Sequence, residues 1–141
     1  MVANRSAVAT AVESAATPQA RGNRVLLRGV ATVGLQAIAL IHLLDLPSKL
    51  AETPYQGWLF IALIGASLVL AWMLTIRDDI RVWLAAGGLA AAVMVGYVIS
   101  RSVGLPAAPD DIGNWIEPLG LASLFAEGTV VLAAFAALRR S

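Results

Sequence analysis

The chain has no cysteine. That excludes disulfides, cysteine-ligated iron–sulfur clusters and thiol catalysis, and it leaves the redox compartment unread. Its single histidine, His42, cannot supply both axial ligands of a bis-histidine haem within one chain. Charge is scarce as well, at 13% of 141 residues with a net of +1, so nothing favours nucleic acid, and no basic helix face with interleaved aromatics occurs. There is no G-x-S-x-G, Walker loop or H-E-x-x-H motif. The case for an enzyme is therefore weak.

What is present in excess is apolar side chain: 59% of residues are hydrophobic and the mean hydropathy is +0.78. This composition predicts one all-α integral membrane domain over residues 25–141. Its four spans are expected at about 29–46, 58–76, 82–103 and 118–138, each long enough to cross a bilayer as a helix. Ahead of them, Met1 to Arg24 is rich in Ala, Ser and Thr and is expected to be a flexible tail. A signal peptide after Arg5 is opposed by Glu13 and Ser14, which interrupt its apolar core, and a transit peptide has only the basic, acid-poor composition in its favour.

Local signals set the boundaries. Leu46-Pro47 is expected to stop the first span, with Ser48 to Glu52 as a polar loop. Thr53, Pro54 and Gln56 have the pattern of an N-cap, first helical position and capping box. The five residues Arg77 to Arg81 predict a helical hairpin, with Asp78 or Asp79 capping the third helix. Gly104 and Pro106 should end that helix, and Asn114 to Glu117 should begin the fourth.

Arg5, Arg21, Arg24, Arg28, Arg77, Arg81, Arg139 and Arg140 fall at one side of these spans, against Lys49 and Arg101 at the other. The positive-inside rule then predicts an up-down-up-down bundle in the cell membrane with both termini cytoplasmic. Trp58, Trp72, Trp83 and Trp115 fall near span ends, as interfacial anchors do. Gly88, Ala92 and Gly96 form a small-residue face expected to pack within the bundle, against Ala122 and Ala126, or against a second subunit.

Polar side chains within the spans are the candidate site. Glu127 lies about 13 Å along the fourth helix, where an ionised carboxylate needs a partner, a proton or water. Gln36 is at a similar depth in the first helix, while His42 and Tyr97 are shallower and Asp45 and Arg101 lie at the edge. The skew suggests a cavity opening outward. Tyr97 with Arg101, and His42 with Asp45, share helical faces. His42 and Asp45 suit a proton relay or a weak metal site, completed by Asp110 or Asp111; a helix-end histidine is the plainer alternative. Glu127 is expected either to bind a proton or cation with Arg101 or Tyr97 nearby, or to be held structurally by Gln36, Ser123 or Arg101. No cofactor is required. Haem shared across a dimer, or held by His42 and Met94, remains the redox alternative.

Ile41-His42-Leu43-Leu44-Asp45-Leu46-Pro47, Glu52-Thr53-Pro54-Tyr55, Asn114-Trp115-Ile116-Glu117-Pro118 and Ser123-Leu124-Phe125-Ala126-Glu127-Gly128 together resemble small uncharacterised four-helix integral membrane proteins of actinobacteria. The resemblance covers about Leu26 to Leu138 and implies a plasma-membrane bundle with no assigned activity. The expected function is an accessory or structural subunit of a membrane assembly, in contact with lipid and with another membrane subunit or a second copy. The alternative is an autonomous proton or metal-cation carrier or sensor that uses Glu127.

Overall fold

A run of about twenty apolar residues folds as a helix in hydrocarbon, because each backbone N–H and C=O must then be satisfied within its own segment. The computed structural model describes residues 18–139, and among them four helices carry the architecture. These are α1 (Pro18–Glu52), α2 (Pro54–Ile76), α3 (Ile80–Ser102) and α4 (Pro118–Leu138), with one 3-10 turn at Pro109–Asp111 before α4. Each helix is long and apolar enough to cross a membrane. Leu44, Trp58, Trp72, Phe125 and Leu132 stand exposed on the outside of the bundle, as lipid-facing side chains do. The all-α, multi-pass expectation holds at this level.

The first helix departs most from expectation. It begins at Pro18, inside the expected tail, whose first seventeen residues lie outside the described ones. It also continues through Pro47 to Glu52, so the expected stop at Leu46-Pro47 and the loop at Ser48 to Glu52 are wrong. Pro47 removes one backbone donor, but tertiary contacts hold the turn beyond it. Ser48 Oγ donates to Asp45, the Lys49 carbonyl accepts from Thr53 N–H, and Leu50 packs against Gly57 so closely that a Cβ there would meet Leu50 Cδ2 at 2.5 Å. Thirty-five residues give about 52 Å of helix, well beyond a hydrocarbon core of about 30 Å.

The other boundaries are held by named caps. Thr53 is the N-cap of α2 with Pro54 next, but its side chain makes no cap bond and Gln56 Nε2 donates to Tyr55 Oη, so no capping box forms. Asp79 caps α3, accepting from Arg81 N–H at 2.8 Å. Gly104, with φ at 84°, follows the end of that helix. At α4 the cap is Glu117, not Asn114: its carboxylate accepts from Leu119 and Gly120 N–H at 3.0 and 2.8 Å.

Packing follows alanine. The core is built on Ala31, Ala71, Ala86, Ala90, Ala126, Ala133 and Ala134 around Leu35, Ile38, Leu74, Trp83 and Val130. Helix α1 packs along α2 and α4, and α4 along α3, whereas α2 and α3 barely meet. The close approaches are at Gly34, where a Cβ would lie 2.6 Å from Val130 Cγ2, and at Gly87, where it would lie 2.9 Å from Ala134 Cβ. Gly88 and Gly96, by contrast, have nothing within 4 Å of a Cβ, and Gly88, Ala92 and Ala122 are exposed. The expected internal face at Gly88, Ala92 and Gly96 is therefore wrong. The helix is rotated by about one residue, because seating the large Trp83 in the core carries Gly87 and Ala90 inward with it.

Trp83 is correspondingly no interfacial anchor. It is 2% exposed, and its indole N–H donates to Asp78 Oδ1 at 2.7 Å. Asp78 also receives Arg24 at 2.7 Å, while Arg28 donates to the last carbonyls of α2, Leu74 and Thr75, at 2.8 and 2.7 Å. These contacts close one end of the bundle.

Candidate functional site

Because α2 and α3 diverge, the side of the bundle between them opens into a cavity of about 530 Å3. That volume lies within the range of small-molecule sites, commonly about 300–1,000 Å3. Most of its wall is apolar, from residues such as Ile41, Leu63, Leu89 and Val93. Polar groups are few and concentrated. Of the eight buried polar residues among the described ones, six line this cavity: His42, Gln56, Ser100, Arg101, Ser123 and Glu127.

Glu127 comes from α4, one turn beyond Ser123. It is 1% exposed, and Ser123 Oγ donates to its Oε1 at 2.5 Å. Its Oε2 has no hydrogen-bond partner. A buried polar atom left in this condition is costly, and such atoms concentrate where a ligand or water completes the site. Of the partners expected for Glu127, Ser123 is realised. Gln36 is exposed on the far side of α1 and does not reach it, and Arg101 is committed elsewhere.

Arg101 sits at the opposite end of the cavity, beneath the loop that joins α3 to α4. Its guanidinium pairs with Asp111 at 2.5 Å and Glu117 at 3.4 Å, and lies 5.0 Å from the centre of the Tyr97 ring. The expected face shared by Tyr97 and Arg101 is thus real, and Tyr97 uses its hydroxyl to donate to the Trp115 carbonyl. Asp111 also receives Lys49 at 3.5 Å and Ser100 Oγ at 3.1 Å. Burial opposes its ionisation, but the Arg101 hydrogen bond, the charges of Lys49 and Arg101 and the Ser100 hydroxyl together hold its carboxyl below the ordinary carboxylate value. The loop also accepts from Tyr55, whose hydroxyl donates to the Pro106 carbonyl at 2.6 Å. The expected outward vestibule is consequently covered at this end by paired side chains.

His42 and Asp45 both line the cavity, yet they are not hydrogen-bonded to each other. His42 Nδ1 lies 2.9 Å from the Ile38 carbonyl and its ring meets Phe60 edge-on, while Asp45 binds Ser48. Among the described residues no three His, Asp or Glu side chains converge as a metal-binding group.

Sequence reasoning passed over Gln56, Ser100, Lys49 and Glu117 as site residues, and it treated Asp111 only as a remote metal donor. An arginine at the end of an apolar helix requires counter-charge, and the acids of the following loop were the available signal. Comparison of the chain with known protein families, with curated proteins and with solved structures finds no match to any of them.

Proposed function

We propose that this is a small multi-pass membrane protein that acts as an autonomous carrier or sensor, with Glu127 as its binding carboxylate. The observation that carries this reading is the unpartnered Oε2 of a fully buried Glu127 facing an intramembrane cavity. A purely structural carboxylate gains most by having both oxygens satisfied. In the same reading the bundle runs up-down-up-down in the cell membrane with both termini cytoplasmic, which the distribution of arginines supports.

The test is infrared spectroscopy of the protein in lipid bilayers as pH is varied, comparing the native chain with Glu127→Gln. A carboxyl or carboxylate band that responds to pH and is absent from the variant is expected. A Glu127 band indifferent to pH and to deuterium exchange would refute a binding role.

The second reading is an accessory subunit of a membrane assembly. It is favoured by the exposed Gly88 and Ala92 on α3, which offer a partner helix close approach. Native mass spectrometry from the source membrane separates the two: a second polypeptide retained on the chain supports the subunit, and the bare chain supports the carrier.

A further inference from the structure

The mouth of the cavity says where a ligand comes from. The lining residues that are also exposed are Leu59 and Ala62 on α2 and Ala92 on α3. All three lie on the bundle's apolar flank. At the loop end, Lys49, Arg101 and Asp111 line the same cavity but are locked in ion pairs, with side-chain exposures of only 8–16%. Access is therefore lateral, from the hydrocarbon, and it selects for a molecule that already partitions into lipid.

The charges say what the molecule carries. Asp45, Asp111, Glu117 and Glu127 line the cavity, against Lys49 and Arg101. Four carboxyls face two cations. Both cations are used at the loop end, on Asp111 and Glu117, so Glu127 has no cationic side chain among its hydrogen-bond partners. His42 is occupied at Nδ1 by the Ile38 carbonyl and is packed against Phe60, an aromatic pair that lines the apolar part of the cavity. An unpartnered carboxyl oxygen in a mostly apolar cavity whose acids outnumber its cations is completed by a charged N–H donor.

We infer that the cavity binds a lipophilic amine, which enters between α2 and α3 and places its protonated nitrogen on Glu127 Oε2, its apolar body lying among Phe60, Leu63, Leu89 and Val93. This rests on the reading of Glu127 as a binding carboxylate and adds the ligand class and route. The Phe60 ring, set edge-on against His42 in the cavity wall, offers the apolar body of the amine an aromatic surface.

The test is equilibrium dialysis of propranolol, a naphthyl secondary amine, against the full chain in nanodiscs of neutral lipid, with empty discs as background. Naphthoxypropanediol, which keeps the ring and the secondary hydroxyl and carries a hydroxyl in place of the amine, is the uncharged comparator. Saturable binding of one propranolol per chain is expected, with the diol weaker by about tenfold or more, the worth of one charge-assisted hydrogen bond. Glu127→Gln should abolish that preference, and Ala92→Phe, at the lipid-facing mouth, should weaken both compounds whether or not the Glu127 variant folds. Equal saturable binding of amine and diol would overturn the cationic class while leaving a ligand cleft. Absence of saturable binding alongside a pH-responsive Glu127 band would overturn the amine and leave a proton carrier. Absence of both signals would remove the inference and the underlying function together.

Discussion

Removing the Asp111 carboxylate should destabilise the bundle far more than an ordinary loop substitution. In the native chain this one side chain receives Arg101, Lys49 and Ser100. Arg101 is 8% exposed at its side chain and Asp111 is 16% exposed, so the pair is closer to a buried than to a surface one. Breaking a fully buried pair costs about 3–5 kcal/mol, whereas exposed pairs contribute about 0–1 kcal/mol. Glu117 stays on Arg101 after the change, at 3.4 Å, and softens the loss. We expect Asp111→Ala to cost about 2–3 kcal/mol and Asp111→Asn, which still accepts from Ser100, about 1–2 kcal/mol.

The assay is reversible unfolding of the protein in mixed micelles, followed by helical circular dichroism, within a double-mutant cycle against Arg101→Met. A coupling energy above about 1 kcal/mol is expected for contacting, partly buried charges. pH provides an independent check with a definite sign. The folded Asp111 carboxyl titrates below its ordinary value, so its contribution is complete above the unfolded value of about 3.9 and is lost as pH falls through the folded one. The gap between the native chain and Asp111→Asn should therefore hold through neutral pH and close in acid. A cost below about 0.5 kcal/mol, with no acid closure, would show the pair to be solvated and the loop end of the cavity open.

Two further outcomes follow from packing and charge. Gly87→Leu should disrupt the contact of α3 with α4, since even a Cβ at that position lies 2.9 Å from Ala134 Cβ, while Gly88→Leu should leave thermal stability in detergent nearly unchanged; the reverse ranking would place the wrong face of α3 inside. Reporter fusions at each terminus should show both on the cytoplasmic side, as the arginine count predicts, and an external C-terminus would overturn the topology.

The helices were legible because their signals are local. A sustained apolar run, Asp79 before a helix and Gly104 after one each act through their own segment. Pro47 misled for the opposite reason, since the turn beyond it is held by Gly57, Thr53 and Asp111 from elsewhere in the chain. The face of α3 misled because period-four small residues fix a spacing and not a rotation; the volume of Trp83 decided the rotation. For the site, depth alone singled out Glu127, and the pair of Tyr97 with Arg101 followed from helical spacing. Which acids meet Arg101 depends on how a fifteen-residue connection folds over it, and no periodic pattern encodes that.

The contacts that tie Arg24, Arg28, Asp78 and Trp83 together also distribute stiffness along the bundle. At that end a charged pair, an indole donor and two carbonyl caps fasten α1, α2 and α3 to one another, while farther along α2 and α3 run apart on either side of the cavity. The two helices are thus fastened at both ends, by the Asp78 contacts at one and by Tyr55 on the Pro106 carbonyl and the Asp111 ion pairs at the other, and stand apart only between them. A change in the width of the gap is then taken up along the middle of α2 and α3, away from the alanine-packed seams of α1 with α4 and α4 with α3. Amide protection should accordingly be strongest near Leu74 and Trp83 and lower beside the gap, around Ala62 and Ala92.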